Sequence, residues 1–388
     1  MRYRIQTLNQ ISPAGLSRLP ADNFDVGHDL ADPDALLLRS ADLHSTLIGA
    51  SVKAVVRAGA GTNNIPIDRL TERGIPVFNT PGANANAVKE LVLAGALLSA
   101  RGLFHAGVFV RDLPGGDEEI SVAVESGKKQ FVGIELPGRT MGVIGLGAIG
   151  VLVANAALSL GMRVVGYDPA ITVEHAWRLS AEVERAASVD EVVRQADFLT
   201  VHVPLIEATR HLISTARLAL MKPTATVLNF ARAGIIDEAA IIEALDEGRI
   251  RGYVCDFPST TLNRHPKVMA LPHLGASTVE AEENCAAMAA DQVKDFLLHG
   301  NVRNSVNFPE AHLPRNGGAR LVIINANVPN MVGQVSSALA DAGLNIADLL
   351  NKSRGDLAIT LVDVDGEVPD SLCLRLREIE GVLSVRVA

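Results

Sequence analysis

The chain has 388 residues, of which 48% are hydrophobic and 20% are charged, and its formal net charge at pH 7 is −9. This length predicts two or three domains, each able to bury a core of its own. The negative charge argues against a general nucleic-acid surface and against adhesion to anionic membranes. An anionic substrate would therefore require a local cluster of arginines.

Cysteine usage and the N-terminus indicate the cellular setting. The three cysteines, Cys255, Cys285 and Cys373, have no metal-like spacing, and no group of His, Cys, Asp and Glu has the spacing of metal ligands. The N-terminal sequence M-R-Y-R-I-Q-T-L-N-Q lacks the apolar core of a signal peptide, and no apolar stretch is as long as a membrane span. We therefore expect a reduced, cytoplasmic protein without a metal and without nucleic-acid or membrane partners.

In chain order, the first hundred residues predict a small α/β domain. Short apolar runs at 35–39, 53–57 and 76–79 suit buried parallel strands with helices between them. The apolar run at 87–101 is too long for a strand and too short to span a bilayer. It predicts a helix that connects two lobes.

The most informative motif lies at 143–150, where V-I-G-L-G-A-I-G carries an apolar strand into three glycines. Gly145 permits a tight turn, Gly147 lets backbone N–H groups approach a pyrophosphate, and Gly150 lets the next helix pack closely on its strand. Asp168 closes the next apolar run, where its carboxylate can bind the adenosine ribose hydroxyls and repel a 2′-phosphate. The pattern predicts a Rossmann unit that prefers NAD to NADP; a glycine-rich turn in an unrelated sheet is the alternative.

The rest of the chain predicts a doubly wound sheet and a small terminal domain. Six apolar runs between Thr140 and Pro272 match the strands of a doubly wound sheet. Residues 278–299 predict a helix of about six turns that returns to the first lobe, and residues 300–318, rich in Asn, Pro and Gly, predict a linker. The last seventy residues follow the βαββαβ order of a ferredoxin-like domain.

Two further blocks carry a family resemblance. N-F-A-R-A-G-I-I-D-E at 229–238 and L-P-H-L-G-A-S-T at 271–278 resemble the active-site blocks of the D-isomer-specific 2-hydroxyacid dehydrogenases. Within that family, the segments at 55–68 and 78–91 are similar to the phosphoglycerate dehydrogenase branch, and the tail resembles the ACT regulatory fold.

The resemblance implies an α/β protein of two doubly wound domains and a ferredoxin-like ACT domain. The implied boundaries are 1–90 with 282–310 for a flavodoxin-like substrate domain, 91–281 for the Rossmann NAD domain and 319–388 for the ACT-like domain. The implied activity is NAD-dependent oxidation of 3-phospho-D-glycerate to 3-phosphohydroxypyruvate, the first step of serine biosynthesis. The substrate would lie in the cleft between the two lobes, and the assembly would be a homodimer or homotetramer.

The chemistry can be argued from the residues themselves. Oxidising a 2-hydroxy acid requires a base for the hydroxyl proton, a hydride acceptor and a cation for the carboxylate. His273 follows the last strand of the dinucleotide sheet, near the carboxyl ends where ligands bind, and is the expected acid/base. Arg232 follows the strand T-V-L-N-F, where its guanidinium can hold the carboxylate bidentately. Taken alone, a structural histidine and a surface arginine are the simpler interpretations.

The expected substrate contacts lie in the first lobe. The loop after Arg57 supplies Ala58 and Gly59, whose N–H groups suit a nest for the carboxylate, although an ordinary glycine turn has the same composition. By resemblance, Arg57 and Arg73 contact the phosphate from one rim, unless they are solvated surface charges. Also by resemblance, the substrate side of the cleft is lined by Asn84 and Asn86. The further cofactor contacts that the resemblance implies are Ala148, Ile149, His202, Val203, Pro204, Thr209, Phe230, Ala231, Asp256 and Gly275.

One departure from the family concerns His273. Most members carry a glutamate that hydrogen-bonds the catalytic histidine, but that position is Thr261 here, and residues 256–273 contain no glutamate. The partner of His273 is therefore open. We hypothesise that a neutral His273 suits alcohol oxidation better than keto reduction; a pH profile of oxidation with no group titrating between about 5 and 8 would contradict this.

A second departure concerns the tail. Asn327 and Asn345 match serine-contacting asparagines of the family, whereas Asn325 and Asn330 replace its histidine and glycine. Feedback by serine is one interpretation, and a dimerisation module with an empty site is the other. Two further functions stay open for the whole chain: a dehydrogenase or reductase of another 2-hydroxy acid, such as glycerate, glyoxylate or hydroxypyruvate, and a non-catalytic NAD-sensing interaction protein.

Overall fold

The computed structural model describes residues 2–388. These residues form two compact units: the chain up to Asn84 together with Val279–Ala388, and Ala85–Thr278. Each unit contains one parallel sheet, and the first unit also contains an antiparallel sheet. The predicted boundaries of three domains stay a prediction.

The first unit begins with a five-stranded parallel sheet. Its elements are β1 (Tyr3–Leu8), α1 (Pro13–Leu16), β2 (Phe24–Gly27), β3 (Ala35–Leu38), β4 (Ala54–Arg57), α2 (Ile67–Glu72) and β5 (Val77–Phe78). The strand order β2-β1-β3-β4-β5 is that of flavodoxin-like doubly wound sheets. The three predicted strands are confirmed as β3, β4 and β5. We missed β1 because arginine and glutamine interrupt its apolar residues, and β2 because it is only four residues long.

The second unit holds a seven-stranded, wholly parallel sheet. Its elements are α3 (Ala85–Arg101), α4 (Leu103–Arg111), α5 (Asp117–Gly127), β6 (Thr140–Ile144), α6 (Ala148–Ser159), β7 (Arg163–Tyr167), α7 (Val173–Arg178), β8 (Glu184–Arg185), α8 (Val189–Gln195), β9 (Phe198–Val201), α9 (Thr215–Leu218), β10 (Thr226–Asn229), α10 (Glu238–Asp246), β11 (Gly252–Cys255) and β12 (Val268–Ala270). The strand order is β12-β11-β10-β9-β6-β7-β8. All six predicted strands are confirmed. The seventh strand, β8, was not predicted because it consists of two charged residues and contains no apolar run.

Apolar cores cover both faces of this sheet. Val227 and Val201 belong to the core on one face, whereas Leu228 and Val143 belong to the core on the other. Burial on both faces explains why these strands are continuous apolar runs in the sequence.

The chain returns to the first unit through α11 (Val279–His299), which confirms the predicted helix. It packs on the first sheet, where the rings of Phe296 and Phe78 have centroids 5.4 Å apart. It also packs on α1, where a Cβ added to Gly15 would stand 2.5 Å from the backbone of Ala286. The close approach of these two helices therefore requires glycine at position 15.

Residues 300–318 correct the predicted linker. Phe308 is fully buried in the core of the first unit, and Val302 pairs with Ala311 in an antiparallel bridge. The Asn307 side chain accepts a hydrogen bond from Val77 N (2.9 Å) and donates to Thr71 Oγ1 (2.9 Å). The asparagines that predicted a linker instead supply hydrogen bonds that let an irregular segment pack on a sheet.

The chain ends in a four-stranded antiparallel sheet with two helices. The elements are β13 (Ala319–Ala326), α12 (Met331–Asp341), β14 (Asn345–Arg354), β15 (Leu357–Asp365), α13 (Asp370–Arg377) and β16 (Val382–Val387), which confirms the predicted βαββαβ order. The strand order is β14-β15-β13-β16. Leu321 and Ile323 form a core with α12 and α13, whereas Val322 and Ile324, on the opposite face, share a core with Phe296 of α11.

Among residues 2–388, no single helix is long and apolar enough to cross a membrane; α3 and α4 pass the same test only as a pair bent by 64°. The part of the chain that the structure describes holds no group of three or more His, Cys, Asp or Glu side chains suited to a metal ion.

Candidate active site

The carboxyl edge of the second sheet gathers most of the predicted site. In a parallel sheet, all strands end at the same edge, and ligands bind there. The glycine loop follows β6, Asp168 follows β7, His202 follows β9, Arg232 follows β10 and His273 follows β12. The structure therefore brings the predicted cofactor and catalytic residues of this unit to one edge.

The glycine loop has the shape that a pyrophosphate requires. Gly145 has φ +91°, and a Cβ there would stand 2.6 Å from the carbonyl oxygen of His202. A Cβ on Gly150 would stand 1.9 Å from the carbonyl oxygen of Gly145, whereas a Cβ on Gly147 would meet open space. Ala148 and Ile149 form the first turn of α6, whose leading N–H groups have no acceptor within the helix. The loop thus fits a dinucleotide phosphate at Gly147.

Asp168 is held by the backbone on both carboxylate oxygens. Oδ2 accepts a hydrogen bond from Leu146 N and Oδ1 accepts one from Ala170 N, both at 2.8 Å. Each oxygen retains a further lone pair. Because Leu146 lies inside the glycine loop, the carboxylate of Asp168 also fixes that loop.

His202 and the loop after it lie at the carboxyl end of β9. Its Nε2 lies 2.9 Å from Thr200 Oγ1, and its Nδ1 is sealed from water with no hydrogen-bond partner within residues 2–388. Burial lowers the pKa of His202 to about 4. Thr209 accepts a hydrogen bond from Ile206 N (2.9 Å) and donates to the carbonyl oxygen of Pro204, which orders the loop that begins with Val203.

Arg232 lies on an ordered turn at the end of β10. Its side chain is exposed, and its Nη1 donates to the carbonyl oxygen of Ala231 (2.6 Å). Phe230, two residues before Arg232, is buried in the core beside Gly95. The turn is held by Asn229, a residue that our sequence reasoning missed, although a polar residue that ends an apolar strand just before an arginine was a usable signal.

His273 occupies a strained turn after β12. Its φ is +58°, a left-handed conformation that is uncommon for residues other than glycine. The carboxylate of Asp256 accepts hydrogen bonds from Leu274 N and Gly275 N, both at 2.7 Å, and thereby holds the turn. The imidazole is exposed and packs against Phe257, with ring centroids 5.2 Å apart.

The sequence left the partner of His273 open, and the structure offers no carboxylate for it. Among the described residues, none hydrogen-bonds the His273 ring; its neighbour is the aromatic ring of Phe257. Thr261 caps a short 3₁₀ helix and lines a surface depression beside Glu238 and Glu243. The glutamate of the family therefore has no substitute at this position.

Strand register relates the two catalytic candidates. Asn229 of β10 is level with Cys255 of β11, and Cys255 is level with Ala270 of β12. Arg232 and His273 each stand three residues beyond these matched positions. Two strand spacings of about 4.8 Å therefore separate their turns by roughly 10 Å, a span suited to a small acid.

The first unit presents a second set of candidates at its own carboxyl edge. Arg57 ends β4, its Nε donates to the carbonyl oxygen of Arg39 (2.8 Å), and Ala58 and Gly59 follow it. Arg39 itself follows β3 and pairs with Glu282 at 2.7 Å. We missed Arg39, although the run A-L-L-L-R ends on arginine as K-A-V-V-R does.

Arg73 corrects the expectation that two arginines share one rim. It follows α2 and precedes β5, so it lies at the amino edge of the parallel sheet, opposite to Arg57. Its guanidinium donates to the carbonyl oxygens of Ile48 (2.9 Å) and Gly49 (2.7 Å). A helix that connects two parallel strands runs back across the sheet, which places its last residue at the far edge.

The remaining candidates are two asparagines near the start of α3 and two asparagines in the terminal sheet. Asn84 lies in the turn before α3, and Asn86 Nδ2 donates to Glu90 within α3 (2.9 Å). Asn327 Nδ2 donates to the carbonyl oxygen of Gly355, whereas Asn345 Nδ2 donates to Asp365, both at 2.9 Å.

Asn327 and Asn345 lie at opposite ends of the terminal sheet. Ala326, next to Asn327, is level with Leu357, whereas Asn345 is level with Asp365 at the other end of β15. The part of β15 between Leu357 and Asp365 is about 27 Å long at 3.4 Å per residue. One copy of the chain therefore does not gather the two asparagines around a small effector.

Comparisons with known proteins agree with this dinucleotide-binding α/β class. The model of the NAD binding domain of D-isomer specific 2-hydroxyacid dehydrogenases matches residues 105–275. The D-3-phosphoglycerate dehydrogenase of Haemophilus influenzae is 32% identical over 339 residues, which cover 84% of this chain and 79% of that protein. The chain belongs to the D-isomer specific 2-hydroxyacid dehydrogenase family.

Other relatives differ in length. The D-3-phosphoglycerate dehydrogenase of Methanocaldococcus jannaschii is 35% identical over 86% of this chain, and that of Synechocystis is 37% identical over 71%. The chain spans only 62% and 49% of the lengths of these two relatives.

Two solved structures resemble this fold. The NAD+-bound 3-phosphoglycerate dehydrogenase of Entamoeba histolytica superposes with a TM-score of 0.63 at 26% identity, over 79% of this chain and 99% of that one. The D-mandelate dehydrogenase of Rhodotorula graminis gives 0.67 at 26% identity, over 81% and 100%.

Proposed function

We propose that this chain catalyses the NAD-dependent oxidation of 3-phospho-D-glycerate to 3-phosphohydroxypyruvate, the first step of serine biosynthesis. The observation that carries the proposal is the common edge of the second sheet, where the turns of Arg232 and His273 flank the end of β11 and the glycine loop follows β6 at the same edge. The names of the relatives in three microorganisms support this substrate over other 2-hydroxy acids.

His273 takes the proton of the substrate hydroxyl, while the Arg232 guanidinium holds the carboxylate and stabilises the keto product. When bound, NAD supplies the hydride acceptor. Its pyrophosphate would lie against Gly147, while Gly145 and Gly150 would shape the loop and the start of α6 that hold it. The remaining cofactor contacts are proposed to be Ala148, Ile149, Asp168, His202, Val203, Pro204, Thr209, Phe230, Ala231, Asp256 and Gly275.

Asp168 supports NAD over NADP. A carboxylate whose two oxygens are already fixed by backbone N–H groups cannot turn away from a 2′-phosphate, and like charges repel. The preference would therefore be built into the glycine loop rather than depend on a mobile side chain.

The substrate anion is proposed to bind at the carboxyl edge of the first sheet. Arg57, Ala58 and Gly59 supply a guanidinium and backbone N–H groups there, and Arg39 adds a second guanidinium from the neighbouring strand end. Arg73 has no part in this proposal, because backbone carbonyls hold its guanidinium at the other edge. Asn84 and Asn86 remain proposed substrate contacts.

Residues 319–388 are proposed to form an ACT-like regulatory domain, and the assembly is proposed to be a homodimer or homotetramer. The exposed apolar side chains of the α4–α5 segment, among them Phe104, Val110 and Val122, support an interface with a second copy. A serine site that uses both Asn327 and Asn345 would likewise need two copies, since one copy keeps them apart. Added serine should then change both the rate and the oligomeric state.

The activity is tested by following NADH absorbance with NAD and either 3-phosphoglycerate or D-glycerate. We expect turnover with the phosphorylated acid, and we expect His273→Gln to lower kcat by about a hundredfold or more while NADH binding is kept. Equal turnover of D-glycerate would favour another 2-hydroxy acid as substrate. NADH binding without turnover of any 2-hydroxy acid would favour the NAD-sensing function.

A further inference from the structure

Asn229 holds the turn that presents Arg232. It is the last residue of β10 and is fully buried. Its Oδ1 accepts a hydrogen bond from Ala231 N (3.2 Å), and its Nδ2 donates to the carbonyl oxygen of Arg232 (2.9 Å). The same Nδ2 lies 3.4 Å from the hydroxyl of Tyr253, which is itself buried. Every polar atom of the amide therefore has a partner.

The amide of Asn229 meets both demands of this position. The turn offers one N–H and one carbonyl oxygen to the side chain, so the side chain needs an acceptor and a donor on one short stem. Aspartate at neutral pH would keep the acceptor but lose the donor, and its charge would face the carbonyl oxygen of Arg232. Alanine would lose both and leave the partly buried N–H of Ala231 and carbonyl oxygen of Arg232 without these partners.

We propose that Asn229 is a positioning residue for Arg232: its amide fixes the turn so that the guanidinium meets the substrate carboxylate. The inference rests on the proposed function, which assigns the carboxylate to Arg232. A displaced Arg232 guanidinium would bind the substrate carboxylate weakly, and a displacement of about 1 Å can lower the rate about a hundredfold.

The effect should not extend to His273. The link between the two turns runs through the backbone, because Asp256 N donates to the carbonyl oxygen of Asn229 (3.1 Å). The Asp256 carboxylate then holds Leu274 and Gly275. A change in the side chain of Asn229 leaves that backbone bond and the His273 turn in place. The pH profile of kcat should therefore stay unchanged.

The test is a double-mutant cycle on binding, which needs no turnover. Calorimetry measures the affinity of 3-phosphoglycerate for the enzyme–NADH complex in the wild type, Asn229→Ala, Arg232→Ala and the double variant. We expect Asn229→Ala to weaken this affinity about tenfold or more in the wild type, but less than about twofold when Arg232 is absent, because coupled residues are not additive. The affinity for NADH should stay within about twofold throughout.

Matched variants separate positioning from folding. Asn229→Asp should reproduce the loss, whereas Tyr253→Phe, which leaves both bonds from Asn229 to the turn, should keep the wild-type affinity and rate. Equal weakening by Asn229→Ala in both backgrounds, or a fall in melting temperature with no change in affinity, would overturn the inference. If Arg232→Ala keeps the full affinity for 3-phosphoglycerate, the proposed role of Arg232 is what fails.

Discussion

His202 combines a buried ring nitrogen with a place beside the glycine loop. Its Nε2 has Thr200 as a partner, whereas its Nδ1 is buried and has no partner within the described chain. A charged imidazole would need a hydrogen-bond acceptor at both nitrogens, and burial penalises the charge. For this reason the pKa of His202 falls from 6.5 to about 4.

This shift predicts a loss of stability in acid. Between about pH 6.5 and 4, His202 is protonated in the unfolded chain but stays neutral in the folded chain. The free energy of unfolding therefore falls as the pH falls through this window. By about pH 5 we expect the wild type to have lost about 1–2 kcal/mol more than His202→Gln, relative to about pH 7.5. Urea denaturation followed by circular dichroism measures both proteins, and parallel pH dependences would contradict the prediction.

At the scale of elements, a buried ion pair fastens the terminal sheet. Arg320 of β13 and Asp363 of β15 are both fully buried and make two hydrogen bonds of 2.6 Å. The other N–H groups of Arg320 donate to the carbonyl oxygens of His299, Leu313 and Pro314. One guanidinium therefore connects two strands to the end of α11 and to the segment after it.

Breaking this pair should cost far more than breaking a surface pair. Asp363→Ala leaves a buried guanidinium without its counter-charge, and we expect a loss of about 3–5 kcal/mol in the free energy of unfolding. The double variant Arg320→Met with Asp363→Leu should lose less, because no charge is left buried. Glu184→Ala, which breaks the exposed pair with Arg163, is the control and should cost less than about 1 kcal/mol. Similar losses in the two single variants would refute this account.

Which elements could be predicted from sequence depended on burial. Strands buried on both faces give continuous apolar runs, so six strands of the second sheet were found, whereas β1, with its mixed residues, and the dipeptide β8 were not. The segment 300–318 was assigned to a linker because composition alone does not show that Phe308 is buried. Local patterns do not report the tertiary contacts that pack such a segment.

The site residues that could be predicted are those whose position follows from local sequence. Arg232 and His273 could be placed because each follows a strand, and parallel strands end together. The prediction for Arg73 was wrong because the direction of α2 determines at which edge of the sheet Arg73 lies. The similarity of single residues to the family does not show the direction of that helix. Asn229 was missed because its role depends on a hydrogen bond to the carbonyl oxygen of Arg232, which no side-chain pattern records.

At the scale of the whole molecule, the terminal sheet is part of the core of the first unit. Val322, Ile324, Ile359 and Leu361 share that core with Phe296. Arg386 of β16 stacks on Phe296 at 4.3 Å and donates to the carbonyl oxygen of Leu297 (3.1 Å), and its burial lowers its pKa to about 10. Ser384 donates to the carbonyl oxygen of Gly74 (3.1 Å). These contacts fix the sheet to α11 and to the first parallel sheet.

The shared core predicts that the first unit does not fold stably without its tail. A chain ending at Asn316 would lack the four aliphatic side chains named above and would expose the apolar side chains that pack against them. Burial of each aliphatic side chain contributes about 1.5–3 kcal/mol, so the total loss is comparable to the stability of a whole domain. We expect this truncation to aggregate or to bind a hydrophobic dye, with a melting temperature well below that of the full chain. The control keeps the tail and inserts a short Gly-Ser segment between Gly317 and Gly318, whose backbones are already left-handed. That insertion should be tolerated, and a truncated chain as stable as the control would contradict the prediction, because the first unit would then fold without its tail.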